Sequence, residues 1–243
     1  MWPLIVFYLL LLPCVGLFIH SKQTAGGTAP LTIDLKAGST VLITLAALIL
    51  CASAPEALSL YGIFITAGLV LGLVGDIVIC QPTTGGFLSG MVFFALGHLS
   101  YIFAFAGQSI HRLWAVPVFV VIYLPFLLLL VTLSRETPAL RNMVAPVAVY
   151  GALIITMLSL AVTLAFSAPR GLIIPVGAVL FAVSDSLLAY QTFQKKPAEN
   201  CITFLQHCCN TYHAPANKAL EAFGLSCYFI GQSFFAISIY LLR

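Results

Sequence analysis

The sequence predicts an all-α fold, a polytopic membrane bundle of eight transmembrane helices forming a single integral membrane domain over residues 1–243. Three observations lead there. Of the 243 residues, 61% are hydrophobic and only 7% are charged, against roughly 25% charged in a soluble globular domain. The mean hydropathy is +1.10. The apolar residues also gather into runs of about 20, the length that carries a helix across the hydrocarbon core.

Each run is bounded by residues that stop a membrane helix. The first, Trp2 to Ile19, has no basic segment before it and no small-residue cleavage site, so it reads as a span rather than a signal peptide. The second, Lys36 to Ser53, ends before Pro55, and the third, Ala57 to Cys80, ends before Gln81 and Pro82. The fourth runs from Gly86 to Ala106, and the fifth, Leu113 to Leu133, lies between Arg112 and Arg135. The sixth, Asn142 to Phe166, follows Arg141 and stops before Pro169. The seventh, Gly171 to Phe193, runs into Lys195 and Lys196, and Glu221 to Leu242 is the eighth.

Ten Lys and Arg against seven Asp and Glu leave a formal charge of +3, too small and scattered for a nucleic-acid partner. The basic residues do orient the bundle, because cytoplasmic loops collect positive charge. Lys22, Lys36, Arg135, Arg141, Lys195, Lys196 and Lys218 count towards one side, and Arg112, Arg170 and Arg243 towards the other. On that count the odd-to-even loops are cytoplasmic, both termini face outward, and a bacterial host would place the protein in its inner membrane.

Of the seven cysteines, Cys14, Cys51, Cys80 and Cys227 fall in or at the ends of spans and read as buried apolar thiols. Cys201, Cys208 and Cys209 lie beside His207 and His213 in the long polar loop 195–218, but their spacing fits no standard zinc pattern. No metal is expected. The loop is a candidate flap over a site on its face of the bundle.

A repeat surrounds the two most deeply placed acids. The nine residues Gly68 to Asp76 align without gaps onto Gly177 to Asp185, with Gly, Val, Leu, Val and Asp coinciding. The offset of 109 residues carries the start of span one onto the start of span five. Two four-helix halves, 1–110 and 111–243, would then be parallel repeats about an axis along the membrane normal.

An ionisable group within a span is costly to insert, so each is a candidate for function facing the bundle interior. Three stand out: Asp76 late in span three, Asp185 in span seven and His98 in the middle of span four. Asp34, Glu56, Glu136, Glu199 and Glu221 lie at helix ends or in loops and read as solvated charges or caps. Asp76 and Asp185 belong to the same half of the membrane, where one pocket would hold both. Two carboxylates in a low-dielectric pocket resist joint ionisation, so one serves as an acid and the other stabilises positive charge. Tyr101 lies three residues after His98, and Tyr228 and Gln232 lie four apart, so each set shares one helix face. Ser184 precedes Asp185 directly, and adjacent helical residues point to different faces, so the two do not form a nucleophile and base.

No GxSxG elbow, HExxH helix or P-loop is present, which leaves serine-hydrolase, zincin and ATPase readings unsupported. The buried acids allow acid-catalysed cleavage of an ether-like bond, and equally a small proton-coupled secondary transporter. Transporters bind substrate on helices broken by Gly or Pro, whereas Pro117, Pro125, Pro146 and Pro175 adjoin neither acid.

Together, Gly75-Asp76, Gly97-His98 with Tyr101, Ser184-Asp185, and Tyr228 with Gln232 resemble the YhhN family, the lysoplasmalogenases. The resemblance covers essentially the whole chain, except that loop 195–218 is longer and richer in Cys and His than the family connection. It implies hydrolysis of the vinyl ether bond of a lysophospholipid drawn from the membrane, giving a fatty aldehyde and glycerophosphocholine or glycerophosphoethanolamine without a cofactor. Asp76 and Asp185 would supply proton donor and oxocarbenium stabiliser in an order left open, and His98 would orient or deprotonate the attacking water. Tyr101, Ser184, Tyr228 and Gln232 would line the substrate. At 1.5 Å of rise per residue, His98 would lie roughly 10 Å deeper than Asp76. Head-group preference, chain length and oligomeric state are open at this level.

Overall fold

A computed structural model describes residues 2–26, 29–52, 60–109, 111–136, 138–141, 143–167, 171–193, 206 and 217–242. Loop residues 195–216, with their Cys and His cluster, lie outside the described residues apart from Gln206. The described chain is helical throughout. Its helices are α1 (Trp2–Ala25), α2 (Pro30–Ala52), α3 (Leu60–Ile79), α4 (Thr84–Gln108), α5 (Ala115–Glu136), a short α6 (Pro138–Arg141), α7 (Val144–Ser167), α8 (Ile173–Phe193) and α9 (Lys218–Leu241). Seven of these, α2 to α5 and α7 to α9, are long and apolar enough to cross a membrane, and α1 adds a helix of 24 residues. The protein is therefore an integral, multi-pass membrane protein.

Local chemistry explains the helix starts. Thr83 caps α4 by accepting a hydrogen bond from the Gly86 amide at 3.0 Å, and Asn217 caps α9 by accepting from Leu220 at 3.0 Å. Two sequence boundaries shift. The first helix runs on past Ile19 to Ala25, and the second starts at Pro30 rather than Lys36, because Lys22 and Lys36 are buried helix residues and not the edges of loops.

Helix α9 packs against α8, α2, α3 and α1, and α5 rests on α7 with nearly all of its surface outward. Neighbours correspond between the first four long helices and the last four: α1 with α2 matches α5 with α7, and α2 with α3 matches α7 with α8. Likewise α3 with α4 matches α8 with α9, and the crossed contact of α4 with α7 matches that of α9 with α2.

Small residues make the tightest of these crossings. A Cβ at Gly97 would lie 3.2 Å from the Gly68 carbonyl oxygen, and one at Gly231 only 2.9 Å from the Gly177 carbonyl oxygen. Gly68 and Gly177 are the paired residues that open the sequence repeat. Glycine lets the backbones of α3 and α4, and of α8 and α9, approach closely. Between the helices lies an aromatic core in which Tyr101, Phe105, Phe181 and Phe235 pack ring on ring.

Candidate active site

Two polar clusters lie within the helix bundle. The first surrounds Asp76, whose side chain is fully buried. Lys36 Nζ lies 2.9 Å from Oδ1 as an ion pair, while Thr40 and Tyr228 hydroxyls donate to Oδ2 at 2.5 and 2.8 Å. Gln232 Nε2 donates to the Tyr228 hydroxyl at 2.7 Å. Because Tyr228 accepts from the amide, its single hydrogen is directed at Asp76. Helix α2 supplies Lys36 and Thr40 from one stripe, since Thr32, Lys36, Thr40 and Thr44 follow at intervals of four and all are buried.

The second cluster surrounds Asp185, whose side chain retains 19% exposure. The Tyr150 hydroxyl of α7 donates to Asp185 Oδ2 at 2.9 Å, and His98 Nε2 of α4 lies 3.4 Å from the same oxygen. Tyr150 and His98 are also 3.4 Å apart, hydroxyl to Nε2, closing a triangle. The imidazole is buried, with Nδ1 holding no hydrogen bond to the described residues. Phe181 connects the clusters, its ring centroid 4.9 Å from that of His98 and 5.3 Å from that of Tyr228.

The sequence-predicted residues thus divide. His98 joins Asp185 and not Asp76, while Tyr228 and Gln232 join Asp76. Among the described residues no hydrogen bond or ion pair links the two carboxylates directly. Tyr101 serves packing: its ring is stacked on Phe105, 4.7 Å from Phe235, and pressed against Gly68. Ser184 is half-buried, and its hydroxyl is not among the hydrogen-bond partners of Asp185.

Three charges read from the sequence as solvated or loop-borne are corrected here. Glu221 is 6% exposed and pairs with Lys22, itself 5% exposed, at 2.8 Å; Lys36 is 3% exposed and pairs with Asp76. Each charge is buried because its partner is buried beside it, which is how ions are tolerated away from water. The orientation count consequently loses Lys22 and Lys36 and falls to five against three. Asp34 is exposed, as expected.

Lys36, Thr40 and Tyr150 escaped the sequence reading. The stripe at intervals of four on α2 carries the signal for the first two. Tyr150 is the seventh residue of its helix, near enough to the helix end that a tyrosine reads as an interfacial anchor.

Comparison with known proteins places this architecture. The lysoplasmalogenase TMEM86B of Rattus norvegicus is 34% identical over 140 residues, covering 55% of this chain and 51% of that protein. The Homo sapiens lysoplasmalogenase TMEM86B is 33% identical over 141 residues, covering 55% and 53%. The chain spans about half the length of the curated relatives it matches. No solved structure matches it. The YhhN family model matches residues 32–239, a stretch that begins in the first turn of α2, ends in the last turn of α9 and encloses both acid clusters; the chain belongs to the YhhN family.

Proposed function

We propose that this protein hydrolyses the vinyl ether bond of lysoplasmalogens, releasing a fatty aldehyde and glycerophosphocholine or glycerophosphoethanolamine. The observation that carries this reading is the triangle of Asp185, Tyr150 and His98, an acid held by a phenol and an imidazole, with the buried Asp76 cluster on the other side of the Phe181 ring. The name shared by the relatives supports ether hydrolysis over proton-coupled transport, which draws on the same buried acids.

Vinyl ethers hydrolyse by slow protonation of the β-carbon. The oxygen then carries positive charge as an oxocarbenium ion, water adds to the adjacent carbon, and the hemiacetal collapses to aldehyde and alcohol. A protein accelerates this by placing a carboxylic acid at the carbon, a fixed negative charge beside the cation and a basic group at the water. Asp76 and Asp185 supply the first two and the His98 imidazole the third. The 3.4 Å contacts of His98 tighten when substrate fills the site. A lysolipid has one chain and a polar head, and the bundle offers it the Lys22–Glu221 pair at helix ends, the two acids within the bundle and an aromatic core.

The test is aldehyde release from alkenyl-lysophosphocholine and alkenyl-lysophosphoethanolamine by purified protein in detergent, without added metal. Asp76→Asn and Asp185→Asn are expected to abolish it while leaving a folded protein. In heavy water the aldehyde should carry one deuterium on the carbon next to the carbonyl. A well-folded parent that releases no aldehyde would refute the reading.

A further inference from the structure

We propose that Lys36 is a positioning residue that fixes Asp76 as the permanent carboxylate of the site and thereby leaves Asp185 as its proton-exchanging acid. The chemistry rests on the hydrolysis reading; the assignment of charge does not.

The two aspartates occupy equivalent places in the sequence repeat but not equivalent surroundings. Asp76 faces two hydroxyl donors, Thr40 from α2 and Tyr228 from α9, both at Oδ2, and an ion-paired cation, the Lys36 ammonium of α2, at Oδ1. A proton on Asp76 would set its own hydrogen against one of the hydroxyls and remove the negative charge that the buried Lys36 ammonium faces at 2.9 Å, the costly way to break such a pair. From α4, Tyr101 lies within electrostatic range of Asp76, and its phenol adds no charge. Among the described residues the next ionisable neighbours are Lys22, close enough to act on Lys36, Glu221, which pairs with Lys22 at 2.8 Å and offsets it, and the Cys80 thiol, which acts on Lys22. Nothing in that set competes with Lys36 for Asp76.

Among the described residues Asp185 has no ammonium or guanidinium partner. Tyr150 and His98 approach only Oδ2, and the side chain keeps 19% exposure where that of Asp76 has none. It is the group able to take and release a proton. In the reaction, the Asp185 carboxyl hydrogen bonds to the β-carbon as the C=C π pair forms the new C–H bond and an oxygen lone pair forms the oxocarbenium C=O. The Asp76 carboxylate offsets the positive charge. Water adds to the cationic carbon, its released proton passes through His98 back to Asp185, and collapse of the hemiacetal leaves both acids as they began.

Two measurements test this on the full-length parent and its K36M, K36R, D76N, D185N and K36M/D76N variants. Infrared titration reads the C=O stretch of protonated carboxyls whatever the protein catalyses. The band that titrates in the parent should vanish in D185N and persist in D76N, and K36M should gain a second band that vanishes in K36M/D76N. A parental band lost in D76N, or no new band in K36M, would overturn the assignment. Aldehyde release then reads the consequence. K36R should keep most of the activity, and K36M should lose about a hundredfold in kcat at neutral pH. K36M/D76N replaces the ion pair by a neutral one and should melt near the parent while remaining inactive. Parental turnover by that double variant would show the pair to be structural only. If the parent releases no aldehyde, the hydrolysis reading fails and the infrared result still decides which aspartate holds the proton.

Discussion

Gly68 and Tyr101 meet across the contact of α3 with α4 with no room for a side chain between them: a Cβ at position 68 would lie 2.3 Å from Tyr101 Cε1. The ring is 2% exposed and backed by Phe105 and Phe235, so it has nowhere to go. Gly68→Ala is therefore expected to destabilise the fold by about 1–3 kcal/mol, the usual cost of overpacking a filled core. A lowered melting temperature in detergent checks it.

The glycines at the helix crossings rank in a definite order. At Gly231 an added methyl would meet the Gly177 carbonyl oxygen at 2.9 Å, whereas at Gly97 it would meet the Gly68 carbonyl oxygen at 3.2 Å. Backbone cannot swing aside as a side chain can, so Gly231→Ala should lower the melting temperature more than Gly97→Ala. Equal effects would mean that the α8–α9 contact yields more readily than its geometry indicates.

Tyr150→Phe removes one hydroxyl and leaves the ring, which lies 5.8 Å from that of His98, in place. Asp185 loses its 2.9 Å donor, and hydrogen bonds to charged groups are worth about 1.5–3 kcal/mol. On the proposed chemistry kcat should fall by about ten- to a hundredfold with little change in melting temperature. Aldehyde assay and thermal melting on one preparation separate the two effects.

The Lys22–Glu221 pair joins the end of α1 to the start of α9, with both side chains more than nine-tenths buried. Lys22→Met alone leaves a buried carboxylate without its cation, at a cost of about 3–5 kcal/mol. Lys22→Met combined with Glu221→Gln removes both charges and should recover most of that loss. A double variant as unstable as the single one would argue against the ion pair as the source of the cost.

What the sequence disclosed follows from what hydropathy can detect. Long apolar runs locate the spans, and an isolated Asp or His inside one is conspicuous, so Asp76, Asp185 and His98 were legible. A lysine near a run's edge is not, because a charge there looks like the end of the helix. Lys22 and Lys36 read as loop residues for that reason, and Glu221 as a cap, although all three are buried. Pairing lies between helices distant in sequence, as with Lys22 and Glu221, and no local pattern reports it. The division of the site was hidden by the same distance: rise along α4 put His98 deeper than Asp76, and only the packed bundle shows that this depth brings it to Asp185.

The crossed packing of the helices means that neither acid is completed by its own stretch of chain. Asp76 depends on Tyr228, which lies 152 residues later, and Asp185 on His98, 87 residues earlier. A nascent chain that has inserted only its first four long helices has Asp76 and His98 in the bilayer, each without the distant partner it will acquire. On the proposed chemistry, two fragments divided between α4 and α5 should be inert apart and competent only together.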